Sequence, residues 1–396
     1  MKKIRVMHIL PSFLPGGAER MAVHIVRGLN EQRFEVAITS VGQRIGSDLE
    51  RLLDESRMRV WYLGKKLGFD CRTYYRLHRV LRDYRPDIIH THLQVLRYAL
   101  PSMLWFKRNS MLLHTVNNVA EREVEPSARW IQRYAFRHGV LPVAVAKEVA
   151  ASLERLYGIQ SCQVIFNCIP TKVYGRPQIS RPEWRAKEGF AEDDVLFACV
   201  ARFAPQKNHA LLLRAFAQGP ASDRKAHLLL VGDGSLRAQL QEQAKNLDLA
   251  GQVHFLGVRT DIPDVLGAMD VFVLTSDWEG NPLSVVEAMA SGLPIVSTAA
   301  GGVPELMENG KEGFLLQVGD LRGLADCMSA LLKSPETRRS FANAAARRAR
   351  DFDVSVMIGA YEELYENLYR HLQIQQKGMI GESVLPTEEW LMGQQR

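Results

Sequence analysis

Two glutamates separated by seven residues, Glu279 and Glu287, flank a segment that combines a turn with the start of a helix. Asn281 has a side chain that caps helix N-termini well and Pro282 suits the first helical position, so we expect a helix to begin here. Glu287 then lies about a turn and a half inside the helix, and Glu279 in the loop before it. The helix N-terminus favours an anion and the carboxylates favour hydroxyl groups, a combination that suits a nucleotide diphospho-sugar.

A pair of cations follows the strand-like segment Val195–Val200. Arg202 and Lys207 only donate hydrogen bonds, and their five-residue separation in one loop lets them converge on one diphosphate. Ligands of open α/β sheets bind beyond the C-terminal ends of the strands, where this loop is expected to lie. Alone, the two side chains favour an interpretation as exposed surface cations; together with the glutamate pair they favour phosphate binding.

Three segments, in order along the chain, carry a resemblance to a known family. The stretch 279–287 resembles the Glu-x7-Glu signature of the retaining family 4 glycosyltransferases, 200–208 resembles their Arg…Lys loop, and 15–19 resembles their N-terminal glycine loop. The ordered set spans nearly the whole chain. The resemblance implies the α/β GT-B fold, with two Rossmann-like domains whose parallel sheets face each other across a cleft.

The resemblance also implies a reaction and a set of roles. The reaction is a retaining transfer of a sugar from a nucleotide diphospho-sugar to an acceptor hydroxyl, with no metal ion and no cofactor. Arg202 and Lys207 would stabilise the charge on the departing nucleoside diphosphate, and Glu279 would orient the sugar. Glu287 would hold the ribose. The donor site would be completed by Asn281, Pro282, Leu283 and Ser284, the last two through backbone N–H groups.

Other strand ends add candidates for the donor site. Gly16 and Gly17 follow the first strand, and a residue without Cβ lets the backbone approach a ligand closely. Gly232 lies in a turn that resembles the family's Val-Gly-x-Gly turn, with a plain tight turn as the alternative, and Leu256 lies where the family cradles the base. Asn117 stands where relatives often carry a histidine that helps to bind the donor sugar. An amide can donate and accept hydrogen bonds, so the exchange bears on donor choice.

Two residues of the N-terminal half are candidates for acceptor binding. Arg20 lies in the first predicted helix, and His92 ends the strand Ile88–His92. His90 shares a face with His92, because side chains alternate along a strand, and is expected to be a core residue. The two histidines do not make a metal site without further ligands, and none is predicted.

Strand-like and helix-like segments alternate along the chain, which predicts α/β domains with parallel sheets. The predicted strands are 4–10, 34–40, 60–63, 88–92, 111–116, 140–145, 163–166, 195–200, 227–231, 253–256, 271–274 and 295–298. The predicted helices include 19–29, 72–84, 95–106, 129–138, 147–157, 324–332, 335–350 and 354–372.

The alternation restarts after a segment rich in proline and polar residues, 170–194, which we interpret as a linker and lead-in. We therefore predict an N-terminal acceptor-binding domain at 1–170 and a donor-binding domain at 171–353. By resemblance, helix 354–372 crosses back onto the N-terminal domain, and residues 373–396 are expected to form a mobile tail. The apolar stripe of that helix is predicted to comprise Val356, Ala360, Leu364, Tyr365 and Leu368.

The charge is unevenly distributed. Residues 1–175 contain 27 Lys and Arg against 15 Asp and Glu, whereas residues 176–396 contain 23 against 29. The basic half favours an anionic partner, such as a membrane surface or a phosphate-bearing acceptor, with a generally solvated basic surface as the alternative. Nucleic acid is not predicted, because no recognised binding module accompanies the charge. A growing polysaccharide or a polyprenyl-linked glycan is the expected acceptor.

Two basic, aromatic segments, 129–137 and 105–108, are compatible with a helix on a membrane surface or with packing against the sheet. Ile131 and Phe136 favour packing for the first. No apolar run is long enough to span a bilayer, and the start of the chain is typical of a strand rather than a signal peptide. The five cysteines contain no CxxC pair. We expect a cytoplasmic protein, with a peripheral position on the inner membrane face as a further hypothesis.

Two other functions remain compatible with these residues. A nucleotide-sugar 2-epimerase would share the fold and need acid–base carboxylates and histidines in the cleft, where Glu279 could serve. A non-catalytic nucleotide-sugar-binding protein is the second alternative, and Asn117 is the residue that favours it. The intact set of Arg202, Lys207, Glu279 and Glu287 favours transfer over both.

Overall fold

The computed structural model describes residues 2–14, 16–56, 58–66, 68, 70–106 and 109–377. The chain divides into two compact units: unit 1 comprises Met1–Asn167 and Val354–Arg396, and unit 2 comprises Cys168–Asp353. Pro15 of the glycine loop, residues 107 and 108 of the basic, aromatic segment 105–108, and residues 378–396 of the predicted tail lie outside the described residues.

The elements alternate as the sequence predicts. The strands are β1 (Ile4–Leu10), β2 (Phe34–Ser40), β3 (Arg59–Tyr62), β4 (Ile88–His92), β5 (Met111–Val116), β6 (Val140–Ala144), β7 (Gln163–Val164), β8 (Val195–Val200), β9 (Ala226–Val231), β10 (Val253–Gly257), β11 (Val271–Leu274), β12 (Ile295–Thr298) and β13 (Gly313–Leu316). The α-helices are α1 (Gly17–Gly28), α2 (Asp48–Asp54), α3 (Arg72–Tyr84), α4 (Leu96–Phe106), α5 (Ala120–Glu123), α6 (Arg129–Arg137), α7 (Lys147–Tyr157), α8 (Thr171–Tyr174), α9 (Arg181–Glu188), α10 (His209–Gln218), α11 (Arg237–Asn246), α12 (Ile262–Gly267), α13 (Leu283–Ala290), α14 (Val303–Leu306), α15 (Leu321–Lys333), α16 (Pro335–Arg348) and α17 (Val354–Gln376). Short 3-10 helices lie at Leu93–Val95, Pro126–Ala128, Pro205–Lys207, Pro220–Ser222 and Ala349–Phe352.

Unit 1 is built on a seven-stranded parallel sheet with the order β3-β2-β1-β4-β5-β6-β7. Its strands are largely buried on both faces because helices cover both. Helices α3, α4, α6 and α7 contribute to one core cluster with the sheet, and α1 and α2 to the cluster on the other face. The strand order reverses between β1 and β4, which places the ends of those two strands at the topological switch point.

Unit 2 has a six-stranded parallel sheet with the order β10-β9-β8-β11-β12-β13. Its switch point lies between β8 and β11. The loop that follows β8 carries Arg202 and Lys207, and the loop that follows β11 carries Glu279. Because neighbouring parallel strands end at the same edge of a sheet, the topology alone brings these loops together.

The predicted linker 170–194 is not a linker: it contains α8 and α9, and the structure assigns it to unit 2. Trp184 and Arg185 of α9 are buried, and the Arg185 guanidinium pairs with Asp270 at 2.6 Å. The low apolar content concealed a helix that is held by one tryptophan and one buried ion pair. Its boundary signals were present, since it has a proline in its first turn and ends at Gly189 in the left-handed conformation.

Three further elements differ from the expectations. Helix α2 and strand β13 were not predicted, and β13 pairs with β12 at the edge of the unit 2 sheet. Helix α17 extends four residues into the predicted tail, to Gln376. Its predicted stripe is wrong at Val356, which is exposed, because the buried side of that turn begins at Met357. No helix in the described ranges combines the length and apolar character needed to cross a bilayer.

Candidate functional site

The centre of the candidate site in unit 2 is an ion pair between Lys207 and Glu279. The side chains are 18% and 5% exposed, so the pair is largely shielded from water. Ser276 also donates a hydrogen bond to the Glu279 carboxylate. The structure therefore brings together two of the three predicted catalytic residues, which are 72 positions apart in the sequence.

The two loops that carry this pair are joined by further hydrogen bonds. The Asn208 amide donates to the Asp277 carboxylate at 2.8 Å, and the Asp277 N–H donates to the Gln206 carbonyl at 2.9 Å. Gln206 Nε2 donates to the Trp278 carbonyl at 2.8 Å. These bonds hold the loops in one arrangement, which fixes where the Lys207 ammonium and the Glu279 carboxylate lie.

The helix after Glu279 begins later than predicted. Its first residue is Leu283, Pro282 is the N-cap residue, and no side chain caps the first turn. Asn281 is therefore not the cap. Its side chain is buried, and both Oδ1 and Nδ2 are without a hydrogen-bond partner among the described residues. A buried amide left unpaired is costly, so this group is suited to hydrogen bonds with a bound molecule.

Glu287 lies on the buried side of α13 and accepts a hydrogen bond from the Tyr174 hydroxyl at 2.7 Å. Tyr174 ends α8, which packs against α13. Tyr174 lies in the segment interpreted as a linker, so no sequence pattern indicated this role for it. The hydroxyl orients the Glu287 carboxylate within α13, and a carboxylate can accept hydrogen bonds from hydroxyl groups of a ligand.

Arg202 is exposed and lies next to a tight turn at the end of β9. The backbone of Phe203 donates to the Asp233 carbonyl at 2.9 Å, and Gly232 donates to Gly257 at 2.8 Å. A Cβ on Gly232 would lie 2.2 Å from the Ala201 carbonyl oxygen, so only glycine permits this approach of the turn to the Arg202 loop. Leu256, at the end of β10, is linked to the same turn through its neighbour Gly257.

In unit 1, the predicted residues lie at the ends of strands β1, β4 and β5. Gly16 is the N-cap residue of α1 and Gly17 its first residue, so this helix begins two residues earlier than predicted. Arg20 lies in its first turns. Asn117 follows β5, and its side chain donates to the Thr115 carbonyl at 3.2 Å.

A carboxyl group that the sequence analysis missed lies beside Asn117. Glu123 accepts a hydrogen bond from the Asn117 N–H at 3.2 Å. Burial raises the pKa of the Glu123 carboxyl to about 7, although the hydrogen bonds from the backbone of Asn117 and Asn118 act in the opposite direction. Such a group can accept or release a proton near neutral pH. The sequence signal that could have identified Glu123 was the alternation of glutamates at positions 121, 123 and 125.

His92 is buried and belongs to a chain of hydrogen bonds. His92 Nε2 and His8 Nδ1 are 3.0 Å apart, the Tyr365 hydroxyl lies 3.1 Å from His8 Nε2 and 2.7 Å from His90 Nδ1, and His90 Nε2 lies 2.7 Å from Thr115 Oγ1. The structure thus adds His8 to the two histidines considered from sequence. One nitrogen from each of the three lies within 4.8 Å of the others, but each ring is already hydrogen-bonded within the chain.

A cavity of about 120 Å³ is lined by Leu93, the residue that follows His92, by the start of α4 and by the segment from Val124 to α6. Leu93 lines the cavity and has a φ of 56°, which is a strained conformation for a bulky residue. Residues with such strained backbones are concentrated at functional sites. Gln132 also lines the cavity. Its Oε1 accepts from the Tyr157 hydroxyl at 2.9 Å, whereas Nε2 is buried without a partner among the described residues. The cavity is therefore the candidate acceptor subsite of unit 1.

Two family models match the chain. The model described as Glycosyltransferase Family 4 matches residues 15–173, and the model described as Glycosyl transferases group 1 matches residues 180–348. A putative glycosyltransferase of Bacillus subtilis (strain 168), EpsF, is 40% identical over 305 residues, which are 74% of this chain and 78% of that protein. The UDP-Gal:alpha-D-GlcNAc-diphosphoundecaprenol alpha-1,3-galactosyltransferase of Escherichia coli is 24% identical over 383 residues, 92% of this chain and 97% of that protein.

Solved structures share the fold. The crystal structure of Anabaena Alr3699/HepE in complex with UDP-glucose matches with a TM-score of 0.80 at 23% identity, over 93% of this chain and 99% of that chain. WaaG, a glycosyltransferase involved in lipopolysaccharide biosynthesis, matches with a TM-score of 0.73 at 17% identity, over 91% of this chain and 99% of that chain. The predicted GT-B fold class is confirmed. With the two family models in order along the sequence and a relative at 40% identity, the chain belongs to the family 4 glycosyltransferases.

Proposed function

We propose that the protein is a retaining, metal-independent glycosyltransferase that moves a sugar from a nucleotide diphospho-sugar to a hydroxyl group of a glycan or lipid-linked glycan. The observation that carries the proposal is the convergence of Lys207, Glu279 and the unpaired Asn281 amide at the uncapped start of α13. A cation, a carboxylate and free N–H groups at one place match the diphosphate and the hydroxyl groups of such a donor.

Different residues of unit 2 bind different parts of the donor. Lys207, Arg202 and the N–H groups of Leu283 and Ser284 meet the diphosphate, whose charge grows as the bond to the sugar breaks. Glu279 accepts hydrogen bonds from sugar hydroxyls, and Glu287 accepts them from the ribose while Tyr174 holds its carboxylate. Gly232 and Leu256 shape the pocket beside the nucleoside.

In the proposed reaction, the bond between the anomeric carbon and the diphosphate oxygen breaks, and a bond from the acceptor oxygen to the same face of that carbon forms. The departing phosphate oxygen takes the acceptor proton, so no protein carboxylate has to form a covalent intermediate. Lys207 and Arg202 supply the positive charge that a divalent cation supplies elsewhere, which is why we propose that the reaction does not require a metal or any other cofactor.

The acceptor is assigned to unit 1, where the cavity lined by Leu93 and Gln132 offers Gln132 Nε2, which has no partner among the described residues, within a lining of polar and apolar side chains. The name of the Escherichia coli relative specifies a diphosphoundecaprenol-linked acceptor, and a Rhizobium meliloti relative is named for lipopolysaccharide core biosynthesis. These names support a role in cell-surface polysaccharide synthesis. The HepE complex with UDP-glucose makes UDP-sugars the first donors to test.

The experiment is a thermal-shift screen of UDP-, GDP- and ADP-sugars with the metal ions chelated, on the wild type, on Glu287→Ala and on Glu336→Ala. Glu336 is an exposed glutamate of α16 and serves as the matched control. A ligand that binds only the native state raises the melting temperature. We expect one nucleotide class to stabilise the wild type and the control but not Glu287→Ala. Absence of a shift with every donor, or an equal shift in Glu287→Ala, would contradict the donor site.

A further inference from the structure

We propose that unit 1 binds an anionic lipid surface through the outward sides of α4 and α6. The surface consists of Arg97, Trp105, Trp130, Arg133, Tyr134 and Arg137, and we call it the arginine–aromatic face. The inference deepens the proposed function, because a lipid-linked acceptor is presented by such a surface. Its support is separate, since it comes from exposure and charge and not from the donor site.

The helices of this face lie side by side. Helix α4 packs against α3 on one side and α6 on the other, and all three contribute residues to the same core cluster on one face of the sheet. Trp105 of α4 lies edge-on to His78 of α3, with ring centroids 5.8 Å apart. Helices that cover one face of a sheet turn their exposed sides in the same direction, so their outward residues form one surface.

The basic, aromatic segment 129–137 forms α6, which packs against the core on one side and is exposed on the other. Phe136 is buried and Ile131 packs against the core, whereas Trp130 and Tyr134 are 66% and 43% exposed. Trp105 is 75% exposed. Tryptophan and tyrosine are amphipathic side chains that are enriched at membrane–water interfaces, where one end is apolar and the other is hydrated. Packing of the hydrophobic core therefore does not account for the exposure of these three rings.

The charge of the same helices is strongly positive. Helices α3, α4 and α6 carry eight arginines and one aspartate, a net charge of +7, against +6 for the whole chain. On the other side of the sheet, α1, α2 and α17 carry four arginines and seven acidic residues, a net charge of −3. An anionic surface attracts the side formed by α3, α4 and α6 and repels the side formed by α1, α2 and α17. The charge distribution therefore favours binding of unit 1 in one orientation.

Two arginines of α6 lack an acidic partner in the described part of the chain. Arg133 and Arg137 are exposed and form no ion pair within the described residues, and the ion pairs of α3 in that part of the chain go to Asp83. Free guanidinium groups meet phosphate headgroups in a bidentate manner, beside rings that enter the acyl boundary. A nucleic-acid duplex offers phosphates but no apolar layer for Trp105 and Trp130, so the combination favours lipid.

The test is co-sedimentation of the full chain with vesicles of phosphatidylcholine alone or mixed with phosphatidylglycerol. We expect binding to the anionic vesicles that is lost at about 0.5 M salt, because the charges are exposed and screened. The variant Arg133→Gln/Arg137→Gln is expected to bind the anionic vesicles about 30-fold more weakly. It loses two arginines, each of which makes the usual contribution of one arginine near an anionic membrane. The matched control is Arg339→Gln/Arg347→Gln, two exposed arginines of α16, which should bind as the wild type does.

A second variant tests the aromatic component. Trp105→Ala/Trp130→Ala should weaken vesicle binding and lose the blue shift of tryptophan emission that vesicles induce in the wild type. Binding that ignores lipid charge, equal loss in the α16 control, or binding of single-stranded RNA with no binding of vesicles would overturn the proposal. None of these readouts measures transfer, so donor-induced thermal shifts in the same variants report separately on the proposed function.

Discussion

The Tyr174 hydroxyl donates a hydrogen bond to Glu287 Oε1 at 2.7 Å, although the two residues are 113 positions apart. The bond joins the short helix α8 at the start of unit 2 to α13, the helix that carries Glu287. It orients a carboxylate that is buried and is proposed to hold the ribose.

Removal of that hydroxyl should weaken donor binding without unfolding the chain. Tyr174→Phe keeps the ring and loses a hydrogen bond to a charged group, which we expect to raise the donor dissociation constant about 10-fold. Isothermal titration with the nucleotide sugar that stabilises the wild type measures it. An unchanged dissociation constant would show that Tyr174 does not position Glu287 for the donor.

The buried pair of Lys207 and Glu279 should behave as a unit. Lys207→Met leaves a carboxylate buried without its partner and is expected to lower the free energy of unfolding by about 3 kcal/mol, whereas Lys207→Met/Glu279→Gln should recover part of this loss. Both variants should reduce sugar transfer or donor hydrolysis about 100-fold or more, because the developing charge loses its cation. Denaturant titration and a donor-hydrolysis assay check the two effects, with exposed Lys333→Met as the control. With Glu279→Gln as the second single variant, a fully additive cycle would argue against the pair.

Asn281 should show opposite effects on stability and binding. Asn281→Leu removes an amide whose polar atoms have no partner in the described structure, so the unliganded protein should be as stable as the wild type or more stable, by up to about 2 kcal/mol. Donor binding should weaken, because the ligand loses that amide. Melting temperatures with and without nucleotide sugar measure both. A destabilised unliganded variant would mean that the amide is already paired.

Gly301 should be indispensable to the Glu279 loop. Its φ is 54°, and a Cβ would lie 1.8 Å from the Glu279 carbonyl oxygen. Gly301→Ala should therefore destabilise unit 2 by more than about 2 kcal/mol and reduce activity, since both the backbone and the glutamate must move. Gly292→Ala is the matched control: φ is 73° there, but nothing lies within 4 Å of the added carbon. Equal losses in both variants would assign the effect to φ alone.

The buried histidines on β1, β4 and β5 should make the stability of unit 1 decrease at acidic pH. Burial lowers the pKa of His8 and of His114 to about 3, and the pKa of His90 and His92 well below the usual value. The unfolded chain binds protons on these rings near pH 6.5, and the folded chain does not. Stability is therefore complete above about pH 6.5 and falls as the pH drops towards 3, by about 1.4 kcal/mol per pH unit for each ring.

Denaturant titrations between pH 5 and pH 8 measure this slope. His114→Gln should reduce it by one proton. The same slope in His114→Gln and the wild type would show that His114 titrates normally in the folded chain.

Local patterns predicted most of the elements. Apolar runs bounded by turns identified the strands of both sheets except β13, because each strand is covered on both sides and reads as a short apolar segment. The pattern failed where an element is held by few apolar residues. Helix α9 depends on Trp184 and on the ion pair of Arg185 with Asp270, and neither leaves a periodic signature in a polar segment.

The start of α13 shows a second kind of limit. Asn and Pro are good residues for a helix N-terminus, but the helix begins one residue later and leaves Asn281 unpaired. Local propensity describes the residue that stabilises a helix in isolation. A binding site can retain a residue whose hydrogen bonds are made to something other than the helix.

The sequence by itself determined the family, the alternation of strands and helices, and which polar residues follow strand ends, because each depends on neighbours along the chain. The tertiary structure alone decided which of those residues meet. Lys207 contacts Glu279, Tyr174 holds Glu287, His8 joins His92, and α4 and α6 turn their arginines and tryptophans to the same side. These contacts follow from strand order and helix packing, which place residues far apart in the chain beside each other and which no local pattern encodes.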